Sequence, residues 1–172
     1  IYDNLSKKGA IASIIKYNSA TKDILSSKVE INKSLAKPSS GIIGIIGAGN
    51  FTSAMIAPTL SKLDAKIKYI ASSNGLSGTL LAKKYTIGYS TSSYSEILKD
   101  SEIDAVIITT RHNQHAKQVL ESLKSKKHVF VEKPLAIKLE DLDNILKCKN
   151  EINQTITVGF NRRFSPFSQA AK

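Results

Sequence analysis

Gly41-Ile42-Ile43-Gly44-Ile45-Ile46-Gly47-Ala48-Gly49-Asn50-Phe51-Thr52 is the stretch whose reading decides the fold. Gly41 to Ile46 is a continuous apolar run, the signature of a parallel strand covered on both faces. It ends at Gly47, and Phe51 to Leu63 then carries helical spacing with Pro58 as an expected kink. Between them, Gly47 suits the tight turn, and Gly49 lets backbone N–H groups approach a pyrophosphate at the positive end of the helix. The third glycine of that pattern is replaced by Thr52, which predicts looser packing of helix on strand. A lone Gly-x-Gly is weak evidence, because any tight strand-to-helix turn uses glycine. The loop lacks the Gly-Lys-Ser/Thr ending of a nucleoside-triphosphate loop, which disfavours a kinase or ATPase.

Working outward, strands and helices alternate. Strands are expected at Lys66–Ser72, Thr86–Tyr89, Ala105–Thr109, His128–Val131 and Thr155–Val158. Helical patterns fall between them at Leu76–Tyr85, around Tyr94–Leu98, at His112–Ser125 and at Leu139–Lys149. Short connections in this order predict an α/β fold, a doubly wound, Rossmann-like parallel sheet over residues 41–172, with ligands at the carboxyl ends of the strands. Residues 1–40 read differently. Ile11 to Tyr17 is apolar and strand-like, whereas Asn18 to Ser40 is polar and closes on the breaker Pro38-Ser39-Ser40-Gly41. They are taken as the tail of a preceding domain plus a linker.

The 172 residues carry a net charge of +11, which raises the question of nucleic acid. Nearly all of the excess is scattered lysine; the arginines are Arg111, Arg162 and Arg163. Pairs such as Lys83-Lys84 and Lys126-Lys127 fall on expected exposed helix faces or ends. No basic stripe interleaved with aromatics appears, so a solvated surface is the preferred reading and no nucleic-acid partner is expected. No apolar run approaches the roughly 20 residues of a membrane span, and no membrane partner is expected. The single cysteine, Cys148, excludes an internal disulfide framework and fits a cytoplasmic, reducing setting. The chain opens at Ile1 and is read as a fragment.

Candidate contacts gather at strand ends. The strand closing at Ser72-Ser73-Asn74 offers no carboxylate for a ribose 2′-hydroxyl. Two serines without a repelling acid tilt the cofactor from NAD toward NADP, although the same residues also suit a plain turn. After the next interior strand comes Thr109-Thr110-Arg111-His112-Asn113-Gln114-His115. His112 and His115 share a helical face but lack a third metal ligand, so no metal is expected and helix capping competes with cofactor contact. Val129-Phe130-Val131-Glu132-Lys133-Pro134 is a buried strand ending at three polar or rigid residues. A lysine there, partly buried on the rim of the glycine loop, can hold a substrate hydroxyl and assist proton transfer. Taken alone, the tripeptide is equally a surface turn.

Four motifs stand in order: Gly47-Ala48-Gly49-Asn50-Phe51, the Thr-Arg-His-x-x-His run, Glu132-Lys133-Pro134, and Val158-Gly159-Phe160-Asn161-Arg162-Arg163-Phe164-Ser165-Pro166. Together they resemble the N-terminal domain of the glucose–fructose oxidoreductase/inositol dehydrogenase (Gfo/Idh/MocA) family, over about Gly41 to the end. The resemblance implies NAD(P)-dependent hydride transfer at a secondary alcohol or ketone of a sugar, nucleotide-sugar or cyclitol. It makes Lys133 the catalytic residue, and the cofactor-binding set becomes Gly47, Gly49, Asn50, Phe51, Ser72, Ser73, Thr110, Arg111, His112, His115, Glu132, Lys133 and Arg163. Thr110-Arg111-His112 departs from the family's Thr-Pro-Asn, which puts the hold on the nicotinamide ribose in question. A second α/β domain, carrying substrate residues and a homo-oligomer interface, is expected after Lys172. Ile1-Tyr2-Asp3-Asn4-Leu5 with Ile11 to Tyr17 resembles the close of a medium-chain alcohol-dehydrogenase-like domain, as found in fusions with this family.

Two alternatives stay open. A non-enzymatic dinucleotide-binding sensor or regulatory module needs the same loop. A methyltransferase also uses a Gly-x-Gly turn, but has no use for Glu132-Lys133-Pro134.

Overall fold

The computed structural model describes residues 26–32 and 41–171. Its centre is a seven-stranded sheet in the order β1-β4-β3-β2-β5-β6-β7. The strands are β1 (Lys28–Glu30), β2 (Ile43–Ile46), β3 (Ile67–Ala71), β4 (Tyr89–Thr91), β5 (Ala105–Ile108), β6 (His128–Glu132) and β7 (Ile156–Gly159). All neighbours pair in parallel except β1, which runs antiparallel to β4. The helices are α1 (Ala57–Lys62), α2 (Leu76–Lys84), α3 (Ser95–Lys99), α4 (His112–Lys124), α5 (Leu139–Asn150) and α6 (Pro166–Ala170). A doubly wound, Rossmann-like α/β architecture is therefore present.

Side-chain alternation along the strands explains why the interior strands are apolar throughout. Ile46, Val106, Ile108, Val129 and Val131 belong to one cluster, completed by Ile97 of α3, Val119 and Leu123 of α4, and Ile145 of α5. Ile45, Ile67 and Ile70 belong to a second, with Leu81 and Ala82 of α2. Each fully buried isoleucine contributes about 1.5–3 kcal/mol over an exposed one.

Four local readings are corrected by the structure. Lys28–Glu30, inside the stretch taken as linker, is a strand; Lys28 Nζ lies 4.1 Å from the Tyr89 ring centroid and 2.6 Å from the Tyr69 hydroxyl, a cation–π anchor that composition does not reveal. The strand expected at Thr86–Tyr89 lies at Tyr89–Thr91, because Thr86 turns the chain with φ +55° and Ile87 drops into the core. Pro58 does not simply kink a helix. Thr52–Ile56 forms a π-helical stretch, Ala57 N–H donating to Thr52 O, and Pro58 follows directly on it, so the continuous helix from Asn50 takes up the proline with a π-bulge. Lys127 is buried rather than exposed: its ammonium donates to Asp100 O (2.7 Å) and Ile103 O (2.8 Å), and burial pushes its pKa down. The readings made for Ile1 to Tyr17 and for Pro38 to Ser40 lie outside the described residues.

Candidate active site

β2 is the switch point of the sheet: α1 follows it toward β3, while β5 lies on its other side. Doubly wound sheets open a crevice at that place, beyond the carboxyl ends of the strands. Here it is a cleft of about 650 Å³ walled by the glycine loop, the Ala71–Asn74 turn, Ser92, Tyr94, and Thr109 to Arg111.

The glycine loop is held from below. Gly47 N–H donates to Ala71 O at 2.9 Å, and Gly47 has φ +115°, a region that L side chains rarely adopt. A Cβ there would lie 2.7 Å from Thr109 Oγ1 and 2.9 Å from the Thr109 carbonyl carbon. Thr52 does not loosen the packing, contrary to expectation. It is fully buried, its hydroxyl 2.9 Å from Gly47 O and 2.6 Å from Thr109 Oγ1, so the hydroxyl closes the space under the loop that a third glycine would leave empty.

Gly49 is the contrasting case. A Cβ built on it meets nothing within 4 Å, and its φ is outside the positive range, yet it lines the cleft. Neither conformation nor packing against the described residues requires a glycine there.

The far end of the cleft is polar and almost uncharged. Ser72, Ser73, Asn74 and Ser77 follow β3; among the described residues no carboxylate lines the cleft, and Arg111 is its one charged side chain. The Tyr94 hydroxyl donates to Glu121 Oε2 at 2.6 Å; burial, then that carboxylate, pushes its pKa up to about 12. On the wall itself, Thr110 Oγ1 donates to Gln118 Oε1 (2.5 Å), and Gln118 Nε2 donates to Gln114 Oε1 (3.2 Å). Tyr94, Gln114 and Gln118 were not picked out from the sequence, although the i,i+4 glutamines opening α4 after β5 were a usable signal.

Of the predicted residues, the cleft gathers Gly47, Gly49, Ser72, Ser73, Thr110 and Arg111. Asn50 and Phe51 open the following helix without lining it. His112 is exposed, its ring 5.6 Å from that of His115. His115 is fully buried behind the wall, with both ring nitrogens on carbonyl oxygens. Lys133 stands at the end of β6 and is exposed, where partial burial was expected; its peptide bond to Pro134 is cis. Glu132, beside it, is half-buried against Gly159, and burial pushes its carboxyl pKa up, opposed by the Lys133 N–H and the charges of Lys133 and His115. Arg163 is exposed, its guanidinium 5.3 Å from the Phe164 ring centroid. Among the described residues no three His, Cys, Asp or Glu side chains gather as a metal site.

A parallel sheet with a glycine turn at its switch point and an open cleft above it defines a Rossmann-type nucleotide-binding domain. The chain belongs to the Gfo/Idh/MocA oxidoreductase family, NAD-binding Rossmann fold, whose model matches residues 42–160. Among its relatives, the uncharacterized oxidoreductase YrbE of Bacillus subtilis is 34% identical over 131 residues, covering 76% of this chain and 38% of the relative. Myo-inositol 2-dehydrogenase of Thermotoga maritima is 34% identical over 124 residues, covering 71% of this chain and 36% of the relative. The chain thus spans well under half the length of these curated relatives. Scyllo-inositol dehydrogenase from Lactobacillus casei superposes with TM-score 0.69 at 24% identity, covering 79% of this chain and 41% of that one. A 3-ketoreductase from Actinomadura kijaniata, solved with NADP and TDP-benzene, gives TM-score 0.69 at 20% identity, covering 76% and 40%. These two likenesses speak for the fold. No described helix is long and apolar enough to cross a membrane.

Proposed function

We propose that this chain is the cofactor-binding part of an NAD(P)-dependent oxidoreductase acting at a secondary alcohol or ketone of a sugar, nucleotide-sugar or cyclitol. The observation that carries the reading is Gly49, bare of a side chain on the cleft although no described residue comes within 4 Å of a Cβ built there. The residues present fit a dinucleotide. Ala48 and Gly49 sit where backbone N–H groups face a pyrophosphate above the helix that follows, and Ser72, Ser73 and Ser77 offer hydroxyls for a ribose. With no carboxylate to repel a 2′-phosphate and Arg111 on the wall, NADP is favoured over NAD.

The bound nicotinamide would supply hydride acceptance or donation. Lys133, on the same edge of the sheet as the glycine loop, holds the substrate oxygen and takes or returns its proton as hydride leaves or arrives at the same carbon. Its exposure supports a role completed by substrate and by a second domain of the kind the relatives' greater length accommodates. Glu132 and Arg163 flank this edge, and His112 takes the place of the ribose-holding asparagine. That second domain is also where we place any homo-oligomer contact, and we place the protein in the cytoplasm. The names of relatives such as myo-inositol 2-dehydrogenase support the polyhydroxylated substrate class.

The test is turnover of candidate sugars and cyclitols by the full-length protein, followed by NAD(P)H absorbance. Lys133→Ala should lose about a hundredfold or more in kcat. Dinucleotide binding without turnover on any polyol would instead favour the sensor module.

A further inference from the structure

We infer that His115 is a positioning residue that clamps the loop carrying Lys133 to the cleft wall, so that the two edges of the site move as one. The inference rests on the functional reading above for its consequence in catalysis, but its structural half stands alone. His115 lies one turn into α4, on the inward face that continues through Ala116, Val119 and Leu123, and it is fully buried. Its Nδ1 is 2.8 Å from Pro134 O, and its Nε2 is 3.0 Å from Thr110 O.

These two carbonyls belong to different strand exits. Thr110 follows β5 and lines the cleft; Pro134 follows Lys133 at the exit of β6. The strands hold each other in parallel register from Ala105↔His128 to Ile108↔Val131. Beyond that last pair the ladder ends, and the two ring nitrogens of His115 lie within hydrogen-bond distance of both chains two or three residues past it. Buried carbonyls need a donor, and an imidazole reaches in two opposed directions with one rigid ring. Each nitrogen donates only when it bears a proton, so the ring with both protons holds both loops and the neutral ring holds one. Glu132, on the same exit, couples electrostatically to the ring, and the His112 ring stands edge-on to it at 5.6 Å. An aliphatic residue of similar volume would fill the space and tie neither loop.

The test compares His115→Asn with the wild type in the full-length protein, by hydrogen exchange and by kinetics. Exchange in segments 109–114 and 132–136 should accelerate together in His115→Asn, while the β2 and β3 amides keep their protection. In turnover, kcat should fall tenfold to a hundredfold, from displacement of Lys133, with dinucleotide Kd within about threefold. In a Lys133→Ala background the same substitution should cost less than twofold, because the group it positions is gone. His115→Gln, which carries the same amide donor on a longer stem and likewise cannot reach both carbonyls from one rigid ring, is the second variant should His115→Asn fail to fold, and its exchange should also exceed that of the wild type. Unchanged exchange in both segments would overturn the clamp. So would an undiminished kcat loss in the Lys133→Ala background, the mark of a residue serving stability alone. Coupled exchange in a wild type with no turnover would support the clamp and count against the oxidoreductase reading.

Discussion

The two cleft glycines answer to different forces, and exchanging each for alanine separates them. Gly47 has φ +115°, and its would-be Cβ overlaps both the Thr109 hydroxyl and the Thr109 backbone carbonyl, the latter fixed in place. The positive φ costs a non-glycine residue about 1–2 kcal/mol, and overpacking against fixed backbone adds about 1–3 kcal/mol. Gly47→Ala should therefore destabilise the domain by about 2–5 kcal/mol, a fall of roughly 6–25 °C in Tm for a domain of this size. Gly49 has no neighbour within 4 Å of a built Cβ and no positive φ, so Gly49→Ala should leave Tm within about 2 °C. Its methyl, however, enters the space assigned to the pyrophosphate, and a loss of about 1–3 kcal/mol there weakens dinucleotide binding about fivefold to 150-fold. Thermal denaturation and calorimetric titration on the same preparations read both quantities. Equal Tm losses in the two variants, or Gly49→Ala binding as tightly as wild type, would refute the division of labour.

Further outcomes follow from the same geometry. Thr52→Val keeps the volume but removes the hydroxyl shared between Gly47 O and Thr109 Oγ1, while Thr109 Oγ1 still reaches Gly47 O at 3.2 Å; a loss of about 0.5–1.5 kcal/mol should appear in chemical denaturation with an unchanged m-value. Ser72→Asp, placing a carboxylate on the cleft after β3, should cut NADP affinity more than tenfold while sparing NAD, read by titration with each. Glu132 has its pKa raised by burial, so the folded state holds its proton more tightly than the unfolded chain. Stability should then decline as pH rises from the ordinary glutamate value of 4.5 through the raised one, and Glu132→Gln should flatten that decline in denaturation curves across the window.

Much of this was legible in the chain. Apolar runs such as Ile42 to Ile46 and Ala105 to Ile108 must be buried on both faces, and in a doubly wound α/β fold only the sheet centre offers that. The cleft residues that close strands, Ser72 and Thr110 among them, follow from the rule that ligands sit at carboxyl ends. What escaped depends on contacts far apart in sequence. Nothing near Lys28 announces that Tyr69 and Tyr89, stacked at 5.0 Å, will present a face for its ammonium, and so β1 was hidden in a polar stretch. Thr52 looked like a defect in the glycine pattern because its partner, Thr109, lies 57 residues away. His115 looked like a cofactor ligand because spacing shows which residues share a helical face but not which face turns inward.

The central claim, that the cleft above Gly47 and Gly49 takes a nicotinamide dinucleotide, is met most directly by calorimetric titration with NAD, NADH, NADP and NADPH in turn. Saturable binding of NADP or NADPH at one site per chain, weakened by Gly49→Ala, is the predicted result. Absence of a binding heat and of any thermal shift with all four, up to millimolar concentration, would contradict it.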